Sequence, residues 1–279
     1  MSVFKNVMLI GYTVTVLSRQ DSTSTFPPTV RLIRADYSSG ASLTAAIQGQ
    51  DVVITMVGGA VVGDQNPLID AAVAAGVKRF LPSEFGPDTL QPGTHKIIPS
   101  LPAKVQTVNY LREKEPNMEW TSIITGGWLD WGLKGGHYPF DFRSRTATII
   151  DGGETTFTTT TLSKVGKAIL AVLEHAEMTR NKYVYVSSFN INQIELLRAL
   201  EKVDGRKWDI RHETSEELIK KGKEIISKGD YAGTGSLVKA LMFGNSGLGD
   251  SRPGGLWDEK LGLESEDLEQ TLRSIVSEI

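Results

Sequence analysis

The stretch DVVITMVGGAVVGDQNPLIDAAVAAGVKRFLPSEFG, residues 51–86, carries the clearest secondary-structure signals of this chain. It begins with a short apolar run that ends in glycines, which predicts a buried strand over residues 51–59. The segment NPLIDAAVAAGV has the apolar spacing of a helix, with Gly76 as its C-terminal stop. KRFLPSEFG then predicts another strand, which breaks at Pro82. A strand, a helix and a strand in this order indicate a parallel sheet covered by helices.

The same alternation continues on both sides of this stretch. TVRLIRAD (29–36) predicts a strand and GASLTAAIQG (40–49) a short helix, with Ser42 available near its start. Residues 102–114 predict a helix and EWTSIITGGW (119–128) a further strand. We therefore predict an α/β fold, with a mostly parallel sheet in a core over residues 1–131.

The alternation weakens after Trp131. ATIIDGGETTFTTTT (147–161) predicts a hairpin or turn-linked strands, and helices dominate the tail from Ser215. These segments predict a smaller C-terminal lobe over residues 132–279, interleaved with the core as one structural unit.

The composition narrows the classes of function. The 279 residues are 40% hydrophobic and carry a formal net charge of −3. No long basic run favours nucleic acid or an anionic membrane surface, and no apolar run approaches the ~20 residues that span a bilayer. The absence of cysteine excludes disulfides and thiol catalysis and fits a reducing, cytoplasmic location. We expect no metal site, because metal-ligand spacing is absent among the four histidines: His95, His137, His175 and His212.

Three segments carry a resemblance to a known family. GVKRFLPSEFG (76–86) is the most specific, and LIRADYSSGASLTAAIQGQDVVITMVG (32–58) and WTSIITGGW (120–128) support it. Together they resemble the NmrA-like, isoflavone-reductase-like proteins, an atypical branch of the short-chain dehydrogenases. The resemblance covers most of the chain to about residue 212. It implies a Rossmann-type sheet with a smaller C-terminal substrate lobe.

The resemblance also implies an activity. Members are reductases that transfer a hydride from NADPH to a small, often phenolic or conjugated, substrate of secondary metabolism. Such reductases use a lysine after the PSEFG loop, and alignment puts Lys104 at that position as the general acid/base. Lys96 is a weaker rival, and a solvated lysine in the first turn of a helix is the structural alternative for Lys104. Fungal relatives include redox sensors without catalysis, so a non-catalytic regulator or pseudoenzyme is the alternative function.

Candidates for cofactor binding follow the predicted strand ends. Arg19 ends the strand TVLSR, where an arginine can pair with the 2′-phosphate of NADP and Ser18 could add a hydrogen bond. An exposed arginine at a strand end is the alternative. The strand predicted over residues 51–59 ends in Val57, Gly58 and Gly59. Small residues at this point allow a dinucleotide to approach the backbone closely, although glycine pairs also simply end strands.

Two further groups belong to the carboxyl edge of the sheet, where such folds bind ligands. The resemblance implies that the nicotinamide end is lined by Pro82, Ser83, Glu84 and Phe85. The substrate would be flanked by Thr125, Gly126, Trp128 and His137, with Trp128 and Trp131 as an aromatic wall. Phe85 and the tryptophans could equally be plain core. The expected partner is a small-molecule substrate, and a homodimer is left open.

One segment departs from the family. A dinucleotide fingerprint G-x-G-x-x-G opens a helix whose N-terminus faces the pyrophosphate. Here Val7–Ile10 predicts a strand, only Gly11 of the fingerprint remains, and Tyr12–Leu17 predicts the next strand at once. The first strand–helix–strand unit is thus truncated, so the sheet must either pair these two strands antiparallel or shift one of them out of its usual place. We expect weak NADPH binding, because the helix dipole alone contributes up to ~2 kcal/mol to an anion site.

Two explanations of this truncation stay open. The sequence is either a shortened form of a normal reductase, through an internal deletion, an altered transcript or an incorrect gene model, or a true variant that has given up tight cofactor binding. We favour the first, since the rest of the expected site is intact while the defect in the core is severe.

Overall fold

A computed structural model describes residues 13–58 and 61–279 of the chain. The sequence predictions for Val7–Ile10, Gly11 and Gly59 lie outside the described residues. The chain divides into two compact units, each assembled from several segments. The first unit comprises the residues up to Ser83, Ala103–Ser122 and Val172–Tyr183, and the second comprises Glu84–Pro102, Ile123–Ala171 and Val184–Ile279. The division after residue 131 that the sequence suggests remains a prediction.

Most strands of the described residues pair in parallel. They are, in chain order, β1 Thr15–Arg19, β2 Arg31–Ala35, β3 Val52–Ile54, β4 Arg79–Leu81, β5 Glu119–Ile124, β6 Gly127–Trp128, β7 Phe140–Asp141, β8 Thr146–Ile150, β9 Phe157–Thr160, β10 Lys182–Tyr185, β11 Phe189–Ile191 and β12 Asp209–Glu213. β1 and β2 form one parallel pair, and β3, β4 and β5 are parallel neighbours in a sheet of order β10-β5-β4-β3. The predicted α/β fold with a mostly parallel sheet is confirmed.

Eleven α-helices connect or cover these strands in the part of the chain that the structure describes. They are α1 Gly40–Ile47, α2 Asn66–Ala74, α3 Pro92–Ile97, α4 Leu101–Glu113, α5 Leu129–Lys134, α6 Leu162–Glu174, α7 Ala176–Thr179, α8 Gln193–Asp204, α9 Ser215–Ser227, α10 Thr234–Phe243 and α11 Leu268–Val276. None of the helices in residues 13–58 and 61–279 combines the length and the apolar character that a membrane span requires.

Local signals explain where the helices of the first unit begin and end. The hydroxyl of Ser39 accepts a hydrogen bond from the Ser42 N–H and caps α1, whereas Ser42 accepts from the Asp36 N–H. The cap is therefore Ser39, three residues before the serine that the sequence suggested. Gly76, at φ +75°, stops α2 as predicted, because glycine adopts this left-handed conformation without steric cost.

The core of the first unit lies between the parallel strands and three helices. Ile69 of α2, Phe80 of β4, and Val108 and Leu111 of α4 are fully buried, and Leu43 of α1 joins them. Burial of each such side chain contributes about 1.5–3 kcal/mol to folding. This packing holds the carboxyl ends of β3 and β4 at a fixed spacing.

The second unit contains two three-stranded sheets. β9 lies between β11 and β6, and β8 lies between β12 and β7. The hairpin suggested for residues 147–161 is therefore wrong, because β8 and β9 belong to different sheets. The backbone after β8 has positive φ at Asp151, Gly152 and Gly153. This turn leads the chain out of the sheet β12-β8-β7 before β9 begins. The alternative, turn-linked strands, describes this segment correctly.

Candidate active site

The carboxyl ends of β1 and β2 border a pocket in the first unit. Its volume is about 260 Å³, and its lining is Arg19, Gln20, Asp21, Ala35, Asp36, Tyr37 and Ser38. The Arg19 side chain is 73% exposed, and its Nε lies 4.0 Å from a carboxylate oxygen of Asp21. Exposed pairs of this kind contribute little to stability, so the guanidinium can exchange Asp21 for another anion at small cost. Ser18 lies in β1 opposite Arg34 and does not line the pocket.

The third charged group of this pocket, the carboxylate of Asp36, already accepts hydrogen bonds within the protein. The Ser38 hydroxyl and N–H donate to Asp36 Oδ1 at 2.6 and 2.9 Å, and they hold the pKa of that carboxyl below its usual range. Burial raises the pKa of the Tyr37 hydroxyl, and the positive charge of Arg19 opposes this shift. Arg19 and Tyr37 both line this pocket, which therefore contains a cationic and an aromatic side chain.

Hydrogen bonds tie together the carboxyl ends of β3 and β4. The Ser83 hydroxyl donates to the Val57 carbonyl at 2.9 Å, and the Ser83 N–H donates to Gln65 Oε1 at 3.0 Å. A Cβ on Gly58 would meet nothing within 4 Å, so this position is open. The structure thus brings three predicted cofactor residues, Val57, Gly58 and Ser83, onto one edge of the first unit.

Lys104 lies in the first turn of α4, in the same unit. A Cβ on Gly63 would lie 3.1 Å from the Ala103 Cβ, so the loop after β3 packs against the helical turn that contains Lys104. The Lys104 side chain is half-buried and interacts with other groups of the protein. The rival Lys96 lies in the last turn of α3, in the second unit.

The part of the PSEFG loop that belongs to the second unit, from Glu84 onward, has a strained backbone. Phe85 is buried and has a φ of +30°, a conformation that costs a non-glycine residue of order 1–3 kcal/mol. Its N–H donates to the Ile123 carbonyl at 2.9 Å. The Gly86 carbonyl accepts from the N–H groups of Thr125 and Gly126 at 3.2 and 3.0 Å. The predicted nicotinamide loop and the predicted substrate segment are therefore joined by backbone hydrogen bonds.

A buried acidic cluster follows this loop. The Thr89 hydroxyl donates to Glu84 at 3.3 Å, and the Tyr185 hydroxyl donates to Asp88 at 3.3 Å. Burial raises the pKa of the Tyr185 hydroxyl, and the negative charges of Asp88 and Glu84 add to the shift, so the tyrosine stays protonated. Sequence reasoning missed Asp88 and Tyr185, because they are distant in the chain.

An aromatic cluster in the second unit contains two of the predicted substrate residues. The rings of Trp131 and His137 stack at 3.8 Å with an interplanar angle of 10°, and Trp128 meets Trp131 edge-on at 5.8 Å. Trp131 is 37% exposed. The Trp128 indole N–H donates to the Thr125 hydroxyl at 3.2 Å. The cluster therefore presents an aromatic surface next to Thr125.

Burial and the nearby Lys239 of α10 both disfavour a positive charge on His137. Part of the His137 ring is exposed, yet burial of the remainder lowers its pKa and the positive charge of Lys239 lowers it further. Burial also lowers the pKa of the Lys239 amine, against the attraction of Glu213. His137 is therefore neutral at pH 7 and can stack as an uncharged ring. No sequence signal pointed to Lys239, because a lysine on a helix is usually solvated.

Among the described residues, no group of three His, Asp or Glu side chains could hold a metal ion.

Comparison with known proteins identifies the family. The model of the NmrA-like family matches residues 2–130. The oxidoreductase poxI of Penicillium oxalicum is 34% identical over 244 residues, which cover 84% of this chain and 75% of that protein. The oxidoreductase aprR of Aspergillus flavus is 36% identical over 233 residues, which cover 82% and 78%.

Solved structures agree on the fold. The structure of AtPrR2 with NADP+ and (+)pinoresinol is similar with a TM-score of 0.76, at 18% identity over 95% of this chain and 91% of that one. A parallel α/β fold of this type, with its pocket and loops at the carboxyl ends of the strands, defines a Rossmann-type protein. The chain belongs to the NmrA-like, isoflavone-reductase-like family, as the resemblance implied.

Proposed function

We propose that this chain is an NADPH-dependent oxidoreductase that reduces a small phenolic or conjugated substrate. The observation that carries the proposal is the pocket at the ends of β1 and β2, where Arg19 presents an exposed guanidinium. Two relatives that match most of the chain are named oxidoreductases, and AtPrR2 was solved with NADP+ and (+)pinoresinol. A cytoplasmic location is part of the same proposal.

The residues of the pocket fit the phosphorylated ribose of NADP(H). Arg19 would pair with the 2′-phosphate, since its present partner Asp21 is weakly held at 4.0 Å. Asp36 accepts hydrogen bonds from Ser38, and Tyr37 adds an aromatic side chain to the pocket lining. NADPH, when bound, supplies the hydride for the reduction.

Lys104 is our proposed general acid. It would give a proton to an oxygen of the substrate as the reduction proceeds, and its first-turn position beside the loop after β3 supports this role. Ser83 and Val57 would fix the backbone on which the nicotinamide end rests, and Gly58 leaves room for close approach. Glu84 and Phe85 would line the same end.

The aromatic cluster supports a flat, ring-containing substrate. Trp128, Trp131 and neutral His137 offer π-faces to an aryl group, and aromatic pairs gain about 0.5–1.5 kcal/mol beyond area burial. Thr125 and Gly126 would contribute the backbone wall of this site.

We further propose that the chain binds NADPH weakly. The glycine-rich turn and its helix are absent from the sequence between Gly11 and the strand β1, and with them the amides that would bind the pyrophosphate. Titration with NADPH, followed by nicotinamide fluorescence, tests this point. Micromolar or weaker affinity is expected, and sub-micromolar affinity would contradict it.

A non-catalytic redox-sensing regulator is the second candidate, favoured by the same missing glycines. Insertion of a glycine-rich turn and helix after Gly11, followed by NADPH oxidation assays with a panel of phenols and enones, separates the two. Turnover supports the reductase. Cofactor binding without turnover on any substrate supports the regulator.

A further inference from the structure

Gln65 occupies the centre of a buried hydrogen-bond network in the first unit. Its side chain is 2% exposed. Its Oε1 accepts from the Thr55 hydroxyl and from the Ser83 N–H, and its Nε2 donates to the Val62 carbonyl at 2.7 Å. One amide group therefore joins the segment after β3, the loop before α2 and the segment after β4.

The network controls the backbone at the carboxyl edge of two parallel strands. The Thr55 N–H donates to the Leu81 carbonyl at 2.9 Å and extends the hydrogen bonds between β3 and β4. The Ser83 hydroxyl donates to the Val57 carbonyl at 2.9 Å. Because Gln65 fixes both Thr55 and Ser83, it also fixes the position of Val57. An apolar side chain in its place would leave the Ser83 N–H and the Val62 carbonyl without these partners.

Residues next to the network in the chain are apolar and exposed. Met56, which follows Thr55, is 42% exposed, and Val61, which precedes Val62, is 49% exposed. Gly58 has free space at its Cβ position. Exposed apolar side chains on a backbone that a buried, hydrogen-bonded amide holds are the arrangement of a ligand surface on a rigid support.

We propose that Gln65 is a positioning residue for the nicotinamide half of the cofactor. It acts through Ser83 and Val57, and it has no part in holding the adenosine half at Arg19. This inference rests on the proposed function, because it assumes that NADPH is the ligand of this edge.

The experiment compares two ligands. Binding of NADPH and of adenosine 2′,5′-bisphosphate, which lacks the nicotinamide half, is measured by calorimetry for the natural chain and for Gln65→Met. We expect Gln65→Met to weaken the binding of NADPH at least tenfold and the binding of the bisphosphate less than twofold. Equal losses for both ligands, or no loss for either, would overturn the proposal. A natural chain that binds neither ligand would instead overturn the proposed function on which the inference rests.

Two controls separate positioning from folding. Gln193 is a buried glutamine of the second unit that accepts from the Ile150 N–H at 2.9 Å and donates to the Thr148 carbonyl at 3.1 Å. Gln193→Met should lower thermal stability without changing the ratio of the two affinities. If Gln65→Met does not fold, Thr55→Val removes one hydroxyl from the network at nearly constant volume. It should weaken NADPH alone, and Thr55→Ser should restore the affinity. Failure of Thr55→Ser to restore it counts against the proposal.

Discussion

Gly126 and Thr158 approach so closely that a Cβ on Gly126 would lie 2.2 Å from the Thr158 carbonyl oxygen. Gly126 also has a φ of +62°, which disfavours any residue with a side chain. The contact fixes the turn between β5 and β6. Trp128 lies in β6, directly after this turn.

Replacement of this glycine should therefore destabilise the fold. We expect Gly126→Ala to lower the free energy of unfolding by about 2–5 kcal/mol, through the left-handed conformation and the clash together. Gly136, at φ +68° with free space around its Cβ, provides the matched control. Gly136→Ala should cost only about 1–2 kcal/mol, the penalty of conformation alone. Urea denaturation followed by circular dichroism measures both, and equal losses would show that the Thr158 contact is unimportant.

Arg19 should determine the choice between NADPH and NADH. We expect Arg19→Ala to weaken NADPH about tenfold or more and to leave NADH unchanged, because only NADPH carries the 2′-phosphate. Arg34 is an exposed arginine on the neighbouring strand β2, outside the pocket lining, so Arg34→Ala is the control. Fluorescence titration with both nucleotides gives the ratio. A parallel loss for NADPH and NADH would remove Arg19 from 2′-phosphate recognition.

The stacked ring of Trp131 should contribute to substrate affinity. Trp131→Ala is expected to raise KM for an aromatic substrate about 2- to 13-fold, the equivalent of one aromatic contact, with little change in kcat. Trp131→Phe should retain most of the affinity, because a ring remains. Tyr231 is also exposed, and Tyr231→Ala serves as the control for loss of a surface aromatic side chain. An unchanged KM in Trp131→Ala would exclude this surface from the substrate site.

Asp151 should make stability dependent on pH in the acid range. Burial alone would raise its pKa, but hydrogen bonds from Ser215 and from the Asn245 N–H outweigh burial and hold the pKa below its usual range. A carboxyl with a lowered pKa in the folded state stabilises the fold above its ordinary pKa of about 3.9 and loses that contribution as the pH falls further.

Substitution tests this dependence. Asp151→Asn should be less stable than the natural chain at pH 7, and the difference should shrink as the pH falls below about 4. Asp64 is an exposed carboxylate, and Asp64→Asn is the control for loss of a surface negative charge. Urea unfolding at pH 7 and at pH 3 measures the difference, and a constant gap between Asp151→Asn and the natural chain would contradict the expectation.

The sequence predicted those features that depend on local periodicity. Apolar runs followed by helical spacing indicated β3, α2 and β4 correctly, and Gly76 marked the end of α2. Partner choice between strands was not predictable for β8 and β9, since both are rich in β-branched residues and each has a partner far along the chain, β12 for β8 and β11 for β9. The sequence suggested Ser42 as the N-cap of α1, whereas the structure has Ser39 there. Both serines lie near the start of the helix, and either hydroxyl could cap it.

The candidate site was predictable only where the family motif runs. Ser83 and Val57 are joined by a hydrogen bond at the ends of neighbouring strands, and their role in cofactor binding stays a prediction. Gln65 gave no signal, because a single glutamine before a proline-led helix has the appearance of an ordinary loop residue. Its importance depends on three hydrogen bonds to residues up to 18 positions away. Tyr185 and Asp88 were missed for the same reason, at a separation of 97 positions.

The role of Lys104 is tested most directly by the rate of NADPH oxidation at millimolar cofactor, with a panel of phenolic and enone substrates, for Lys104→Ala and Lys96→Ala. With the natural chain active on one of these substrates, we expect Lys104→Ala to lose about 10²- to 10⁴-fold in kcat while its affinity for NADPH is retained. Lys96→Ala should keep the natural rate. Full turnover in Lys104→Ala would contradict the proposed mechanism.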